Sequence, residues 1–242
     1  MKKILIPLAV FLIAVLMTAC SNTGSENTTE QTPPSSTESG NSQSESTSED
    51  SDVNDSKDSN ILVAYFSRVG NTEWENGVDA VASASINIEN GEYVGNAEVL
   101  AKMAQQATGG DLFLIQTEKT YPSDYRKTTD EAKVEQNNDA RPALSSHVEN
   151  MEKYDTVILI YPNWWGTLPQ PLFSFLEEYD FTGKTILPLC THEGSRMGSS
   201  ESDIRSLCPN AALLDGLAVR GSSVSSAQSD VEEWIENAGI LK

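Results

Sequence analysis

"NILVAYFSRVGNT", residues 60–72, sets an unbroken apolar run directly before a short polar segment. A half-buried strand would alternate apolar and polar residues, so the run fits a strand buried on both faces. The segment after it offers hydroxyls and, around Gly70, free main-chain N–H groups, which suit a dianionic phosphate without a lysine. Ser67, Arg68, Val69, Gly70, Asn71 and Thr72 are therefore the candidate phosphate contacts. The stretch carries neither GxxxxGK[ST] nor GxGxxG, which excludes the lysine-bearing nucleotide loop and the dinucleotide turn.

Outward from this strand, helical and strand patterns alternate. "EVLAKMAQQATGG", 98–110, has apolar residues at helical spacing and ends in Gly-Gly, a helix stop. "DLFLIQT" reads as a second strand and "PSDYRKTTDEAKVEQNN" as a polar helix. "DTVILIY" is a third strand, and "LPQPLFSFLEEY" a helix with proline in its first turn. "KTILPLC" is a fourth strand, followed by a short helix, "SSESDIRSLCP", stopped by Pro209. "ALLDGLAV" is a fifth strand, and "SAQSDVEEWIENAGI" the last helix. This alternation predicts one α/β domain with a parallel sheet covered on both faces. Ligands of such sheets bind beyond the C-terminal strand ends, where the strand order reverses.

Two further loops lie at such ends. "YPNWWGTLPQP" follows strand three, and its Pro162, Asn163, Trp164, Trp165 and Gly166 suit the edge of a flat aromatic ligand. After strand four, Thr191, His192, Glu193, Gly194 and Ser195 form a polar loop with main-chain N–H groups to offer. Ser195, His192 and Asp203 could suggest a hydrolase, but "GSRMG" places its serine second, not third as in GxSxG.

Taken together, "YFSRVGNT", "PNWWGTLPQP" and "CTHEGSRMG" with "LCP" resemble a flavodoxin-like family, over residues 60–242. The resemblance implies a flavodoxin-like three-layer αβα sandwich, its five-stranded parallel sheet in the order 2-1-3-4-5, and bound FMN. The phosphate would lie at Ser67–Thr72. The ring system would lie between Asn163–Gly166 and Thr191–Ser195, with Trp164 the preferred stacking ring and Trp165 second. Val69 stands where many members carry Thr.

A flavodoxin helix starts directly after "GNT", whereas here it starts near Asn96, so residues 73–95 are inserted. Within them "ASINIENGEYV" reads as a hairpin around Asn90-Gly91, and a hairpin lid is one reading of the insertion. "DAVASAS", 79–85, also resembles the DxxSGAT-type motif of flavin transferases, with Ala82 and Ser83 departing from it. Ser85 would then be a covalent FMN site; non-covalent binding is the other expectation.

The N-terminal residues read differently. "MKK", an apolar run and "TAC" form a secretion leader too short to span as a helix, and Cys20 resembles a lipoprotein cysteine. Residues 21–59, rich in Ser, Thr, Glu and Asp, cannot repay the entropy of folding and read as a tether of about 35 Å mean reach. The expected location is extracytoplasmic, on a lipid anchor. The tether holds nine acids and one lysine, and residues 60–242 hold 27 acids and 13 bases, a net charge of −14. Nucleic acid is excluded as a partner by this balance. Cys190 and Cys208 could pair outside the cytoplasm or stay as buried thiols, and no Cys/His spacing suggests a metal.

The leading function is extracytoplasmic electron transfer with a redox protein or a small quinone or flavin as partner. An NAD(P)H-dependent quinone or flavin reductase and a flavin-free binding module are the alternatives.

Overall fold

A computed structural model describes residues 60–77 and 79–241. The leader, Cys20 and the tether lie outside the described residues. The elements are β1 (Ile61–Phe66), β2 (Ile86–Glu89), β3 (Glu92–Gly95), α1 (Asn96–Thr108), β4 (Asp111–Ile115), α2 (Tyr125–Asn137), β5 (Thr156–Pro162), α3 (Gln170–Glu178), β6 (Thr185–His192), α4 (Ser200–Leu207), β7 (Ala212–Leu213), β8 (Leu217–Arg220) and α5 (Gln228–Ala238). The sheet runs β4-β1-β5-β6-β7, with β8 also on β6, and every pairing in it is parallel. Leaving aside the β2–β3 hairpin, this is the expected order 2-1-3-4-5, and the fold is flavodoxin-like.

The continuous apolar runs serve two cores, one on each face. Leu62, Ala64 and Phe66 of β1 join Val157, Leu159 and Tyr161 of β5, packed by Leu172 and Phe175 of α3 and Ile204 of α4. The alternate residues, Ile61, Val63 and Tyr65 with Ile158 and Ile160, pack against Leu100, Ala101 and Ala104 of α1 and Val231 and Ile235 of α5. Side chains alternate across a strand, so burial on both faces leaves no position for a polar residue. α1 and α5 both end at a left-handed glycine, Gly109 and Gly239, as residues free of a Cβ penalty do.

The fifth strand departs from expectation by breaking in two. Between the pairs Ile186–Leu213 and Leu189–Leu217, β6 advances three residues and its neighbour four. The extra residue lies opposite Pro188, which has no N–H to give a ladder. Gly216 fills the break, where a Cβ would meet Met197 Cε at 2.4 Å and Pro188 O at 3.0 Å.

Cys190 and Cys208 are free and buried, so the disulfide is not formed. Burial pushes the Cys190 thiol up to about 12 and the Cys208 thiol up to about 11. Raised values leave almost no thiolate at neutral pH, and the thiolate is the nucleophile. Maleimide labelling followed by peptide mapping should therefore find neither position modified in the native chain and both modified after denaturation.

Candidate functional site

The loops after β1, β5 and β6 meet at the C-terminal edge of the sheet, and each is built differently. Beyond β1, Ser67 is buried and its Oγ accepts from the Val69 amide at 3.2 Å. Arg68 is only 1% exposed; its guanidinium donates to the carbonyls of Ala80 at 2.9 Å and of Pro122 and Ser123 at 3.0 Å each. Burial draws its pKa down to about 10, with Tyr93, Asp124 and Tyr125 opposing that fall, so it is cationic at neutral pH. Gly70 takes φ +94°, and a Cβ there would lie 2.7 Å from Leu114 Cδ2.

Asn71 clamps strand ends. Its Nδ2 donates to the carbonyls of Ser67 at 2.9 Å and Ile115 at 3.0 Å, and its Oδ1 accepts from the Thr117 amide at 2.8 Å and hydroxyl at 3.1 Å. Thr72 then bridges to Tyr121. Residues 68–72 thus cross the top of β4 and do not lead into a helix. Of the six residues expected around a phosphate, Ser67 reaches the start of α1, where a Cβ on Gly95 would sit 2.0 Å from its Oγ.

The helix start is supplied by Gly95, Asn96 and Ala97. The signal for this is in the sequence: Val69-Gly70-Asn71-Thr72-Glu73 returns as Val94-Gly95-Asn96-Ala97-Glu98. The second copy leads into α1 with no side chain capping it. A helix start has amides without partners inside the helix, which is what binds an anion.

Beyond β5, Pro162 closes the strand and the Asn163 amide donates to Thr191 O at 2.7 Å, joining this loop to β6. Trp164 and Thr167 exchange main-chain bonds around a tight turn with φ 54° at Trp165 and 87° at Gly166. Two left-handed central residues make a turn that glycine tolerates and tryptophan does not favour, and such strain gathers at functional sites. Asn163 Oδ1 accepts from the Gly166 amide at 2.9 Å and holds the turn.

The turn gives the two rings different tasks. Trp164 packs edge-on to Phe66 and Tyr121, at 5.4 and 5.1 Å between centroids, and its Nε1 donates to Ser85 Oγ at 3.1 Å. Trp165 is 52% exposed; its Nε1 donates to Thr129 O at 2.9 Å and Lys133 Nζ lies 5.0 Å from its ring. Between the two tryptophans, the Thr128, Thr129 and Ala132 face of α2 and residues 82–85 lies a cavity of about 260 Å³. Glu193 and Arg68 also line it.

Beyond β6, Thr191 is fully buried and its hydroxyl donates to Ala84 O at 2.7 Å. His192 Nδ1 accepts from the Gly194 amide at 2.8 Å. Burial, then Arg220 and Arg196, hold its pKa below the usual imidazole value. Glu193 accepts from the Ser222 amide and pairs with Arg220. The Ser195 carbonyl accepts from the Gly198 amide at 3.2 Å. Asp203 accepts from the hydroxyls of Thr167 and Ser199, and His192 is turned to Gly194, so no serine relay is assembled. Among the described residues, no cluster of His, Cys, Asp or Glu could hold a metal.

FMN can be tested against this site in two parts. The cavity between the tryptophans and α2 is lined by Tyr125, Trp164 and Trp165, which suits an aromatic ring system. The start of α1 with Asn96 and Thr191 has the donors for its phosphate, and these now face residues 83–85. Among the described residues, four buried side-chain atoms lack partners: Arg68 Nε, Thr72 Oγ1, Asn96 Oδ1 and Ser123 Oγ. Two of them, on Arg68 and Asn96, belong to residues bonded to the insertion. Native interiors leave few such atoms; Arg68 Nε is a donor that an anion can meet, whereas Asn96 Oδ1 needs a donor and is not met by a phosphate.

Because Asn71 spends its amide on strand ends, Asn71→Ala should act on stability first. It would leave buried carbonyls and a buried amide unpaired, costing about 2–4 kcal/mol in total. Urea unfolding of the flavin-free chain measures that loss.

Among curated proteins, none matches this chain. Among solved structures, a Bacteroides uniformis ATCC 8492 protein assigned as a flavoprotein is 27% identical, with TM-score 0.56, over 73% of this chain and 97% of its own. One from Bacteroides eggerthii DSM 20697, also assigned as a flavoprotein, is 27% identical, with TM-score 0.52, over 71% and 96%. A flavoprotein from Lactobacillus acidophilus NCFM, solved in complex with FMN, is 18% identical, with TM-score 0.47, over 70% and 97%. The flavodoxin family matches residues 81–238, and with the sheet order and the three loops above, this chain belongs to the flavodoxin family.

Proposed function

We propose that the chain binds FMN non-covalently and transfers electrons on the outer side of a membrane. The observation that carries this reading is the convergence at one sheet edge of a helix start, a strained Trp-Trp turn and the Thr191 loop. They meet beside the β1–β5 pair, where the strand order reverses and ligands of such sheets bind.

When bound, FMN supplies one- and two-electron redox chemistry at its ring. The chain supplies the rest. Asn96, Ala97 and Thr191 would hold the phosphate, and Ser67 stands behind them. Trp165, with much of its ring free, would cover the flavin, while Trp164, fixed by Phe66 and Tyr121, would form the inner wall and exclude water. Main-chain groups of Asn163–Gly166 and Glu193–Gly194 would meet the polar ring edge. Residues 60–242 carry a net charge of −14, which opposes added negative charge in the cleft and favours giving electrons away.

The Ser85 hydroxyl favours non-covalent binding. The residue is 4% exposed and its Oγ accepts from Trp164, so a transferase would find it covered. The leader, Cys20 and the acidic tether support an extracytoplasmic location on a lipid anchor, and the scarcity of nicotinamides outside a cell favours a carrier over a reductase.

The full chain incubated with FMN, with and without a flavin transferase and its flavin dinucleotide donor, and then freed of unbound flavin, should show a flavin absorbance band that moves to the supernatant on acid precipitation. A band that stays with the precipitated protein would mean covalent attachment, and no band would favour the flavin-free binding module. Trp165→Ala should weaken FMN about fivefold, the worth of a stack of about 1 kcal/mol, and leave stability nearly unchanged. Trp164→Ala should lower both. Fluorescence titration and thermal unfolding read the two effects.

A further inference from the structure

The insertion does more than lie beside the cleft. Residues 82–86 form a single turn, with the amides of Ser85 and Ile86 both donating to Ala82 O, at 2.7 and 2.8 Å. The carbonyls of this turn then take the donors of the site in order. Ser83 O accepts from Asn96 Nδ2 at 2.6 Å, Ala84 O from the Thr191 hydroxyl at 2.7 Å, and Ser85 O from the Asn96 amide at 3.0 Å. Three oxygens converge on the start of a helix and a buried threonine, as the oxygens of a phosphate would. Arg68 fastens the near end of the segment at Ala80 O, and β2–β3 brings the chain back to Gly95.

The seat is tight on the far side. A Cβ on Gly221 would lie 1.8 Å from Ser83 O and 2.9 Å from Asn96 Nδ2. Only glycine at position 221 lets the turn sit this deep.

We propose that residues 79–95 are a strap whose turn occupies the place of the flavin phosphate in the flavin-free chain, so that strap closure and FMN binding exclude each other. This rests on the FMN reading above. The apparent affinity for FMN is then the intrinsic affinity scaled by the fraction of chains with the strap open. Riboflavin, which has the ring but no phosphate, binds the cavity without moving the strap.

The test is hydrogen exchange of the full, flavin-stripped chain, alone, with FMN and with riboflavin. FMN should speed exchange at the Ser85 and Ile86 amides, and riboflavin should leave them protected. Gly221→Ala should bind FMN at least tenfold more tightly, with these amides unprotected before ligand is added. Deleting residues 69–93 leaves a single Val-Gly-Asn copy between β1 and α1, and should likewise tighten FMN. Uptake by these variants alone, with none by the wild-type chain, would support the strap equally.

Strap amides kept or further protected by FMN would make the segment a wall of the flavin site and overturn the proposal. Exchange speeded equally by riboflavin would overturn the assignment to the phosphate. An FMN affinity unchanged in Gly221→Ala, with its strap amides already exchanging, would overturn the competition. If the wild-type chain and both variants all fail to take up FMN, the FMN reading itself fails and the strap proposal with it.

Discussion

The amide of Asn96 donates to the carbonyl of Ser85 at 3.0 Å, and the arrangement of the whole sheet edge depends on that bond. A helix start leaves amides without partners, and a buried one must find acceptors elsewhere. In this chain Gly95 brings no side chain to the task. The acceptor comes from the chain's own insertion, and with it come Ser83 O for the Asn96 side chain and Ala84 O for Thr191. Trp164 is drawn in by the same turn, since its Nε1 needs a partner and Ser85 Oγ provides one. One turn, through three carbonyls and the Ser85 hydroxyl, thus satisfies donors from α1, β6 and the β5 loop at once.

Much of this was legible in the sequence. β1 and β5 announce themselves because both faces are buried, which removes polar residues from the run. The Asn90-Gly91 hairpin was legible because φ of 53° and 85° at those two residues suits few other pairs. The Trp-Trp and Thr191 loops were legible because they sit at strand ends. The reading of residues 67–72 as a phosphate loop meets a competing use of the same residues. Val69-Gly70-Asn71 has the residues of such a loop, but Asn71 is used as a clamp between β1 and β4. The second copy, at Val94-Gly95-Asn96, has the same residues and the helix. Composition cannot tell a clamp from a cradle; the sequence distance to the next helix can.

The break in the fifth strand was hidden for another reason. "ALLDGLAV" reads as continuous because its apolar residues are strand-like. The cause of its break lies on another strand, at Pro188, and strand pairing is not visible along one sequence. The same holds for Arg68. An arginine next to a polar loop suggests an anion contact, yet it is buried and bonded to three carbonyls from two other segments. Its charge stays in the cleft wall, and its fork ties the insertion to the Pro122–Ser123 turn ahead of α2.

Arg68 also explains why the proposed strap need not leave the protein when it opens. The bond to Ala80 O lies outside the turn at 82–86, and Tyr125 holds Asp79 O at 2.7 Å. β2 and β3 pair with each other and not with the main sheet, so lifting the turn breaks no strand of the core. The bonds given up are those to Asn96, Thr191 and Trp164, after which the turn, in water, no longer protects its own Ser85 and Ile86 amides, and a phosphate offers the first two an acceptor of higher charge. The segment that separates β1 from α1 then acts at the helix start it leads into.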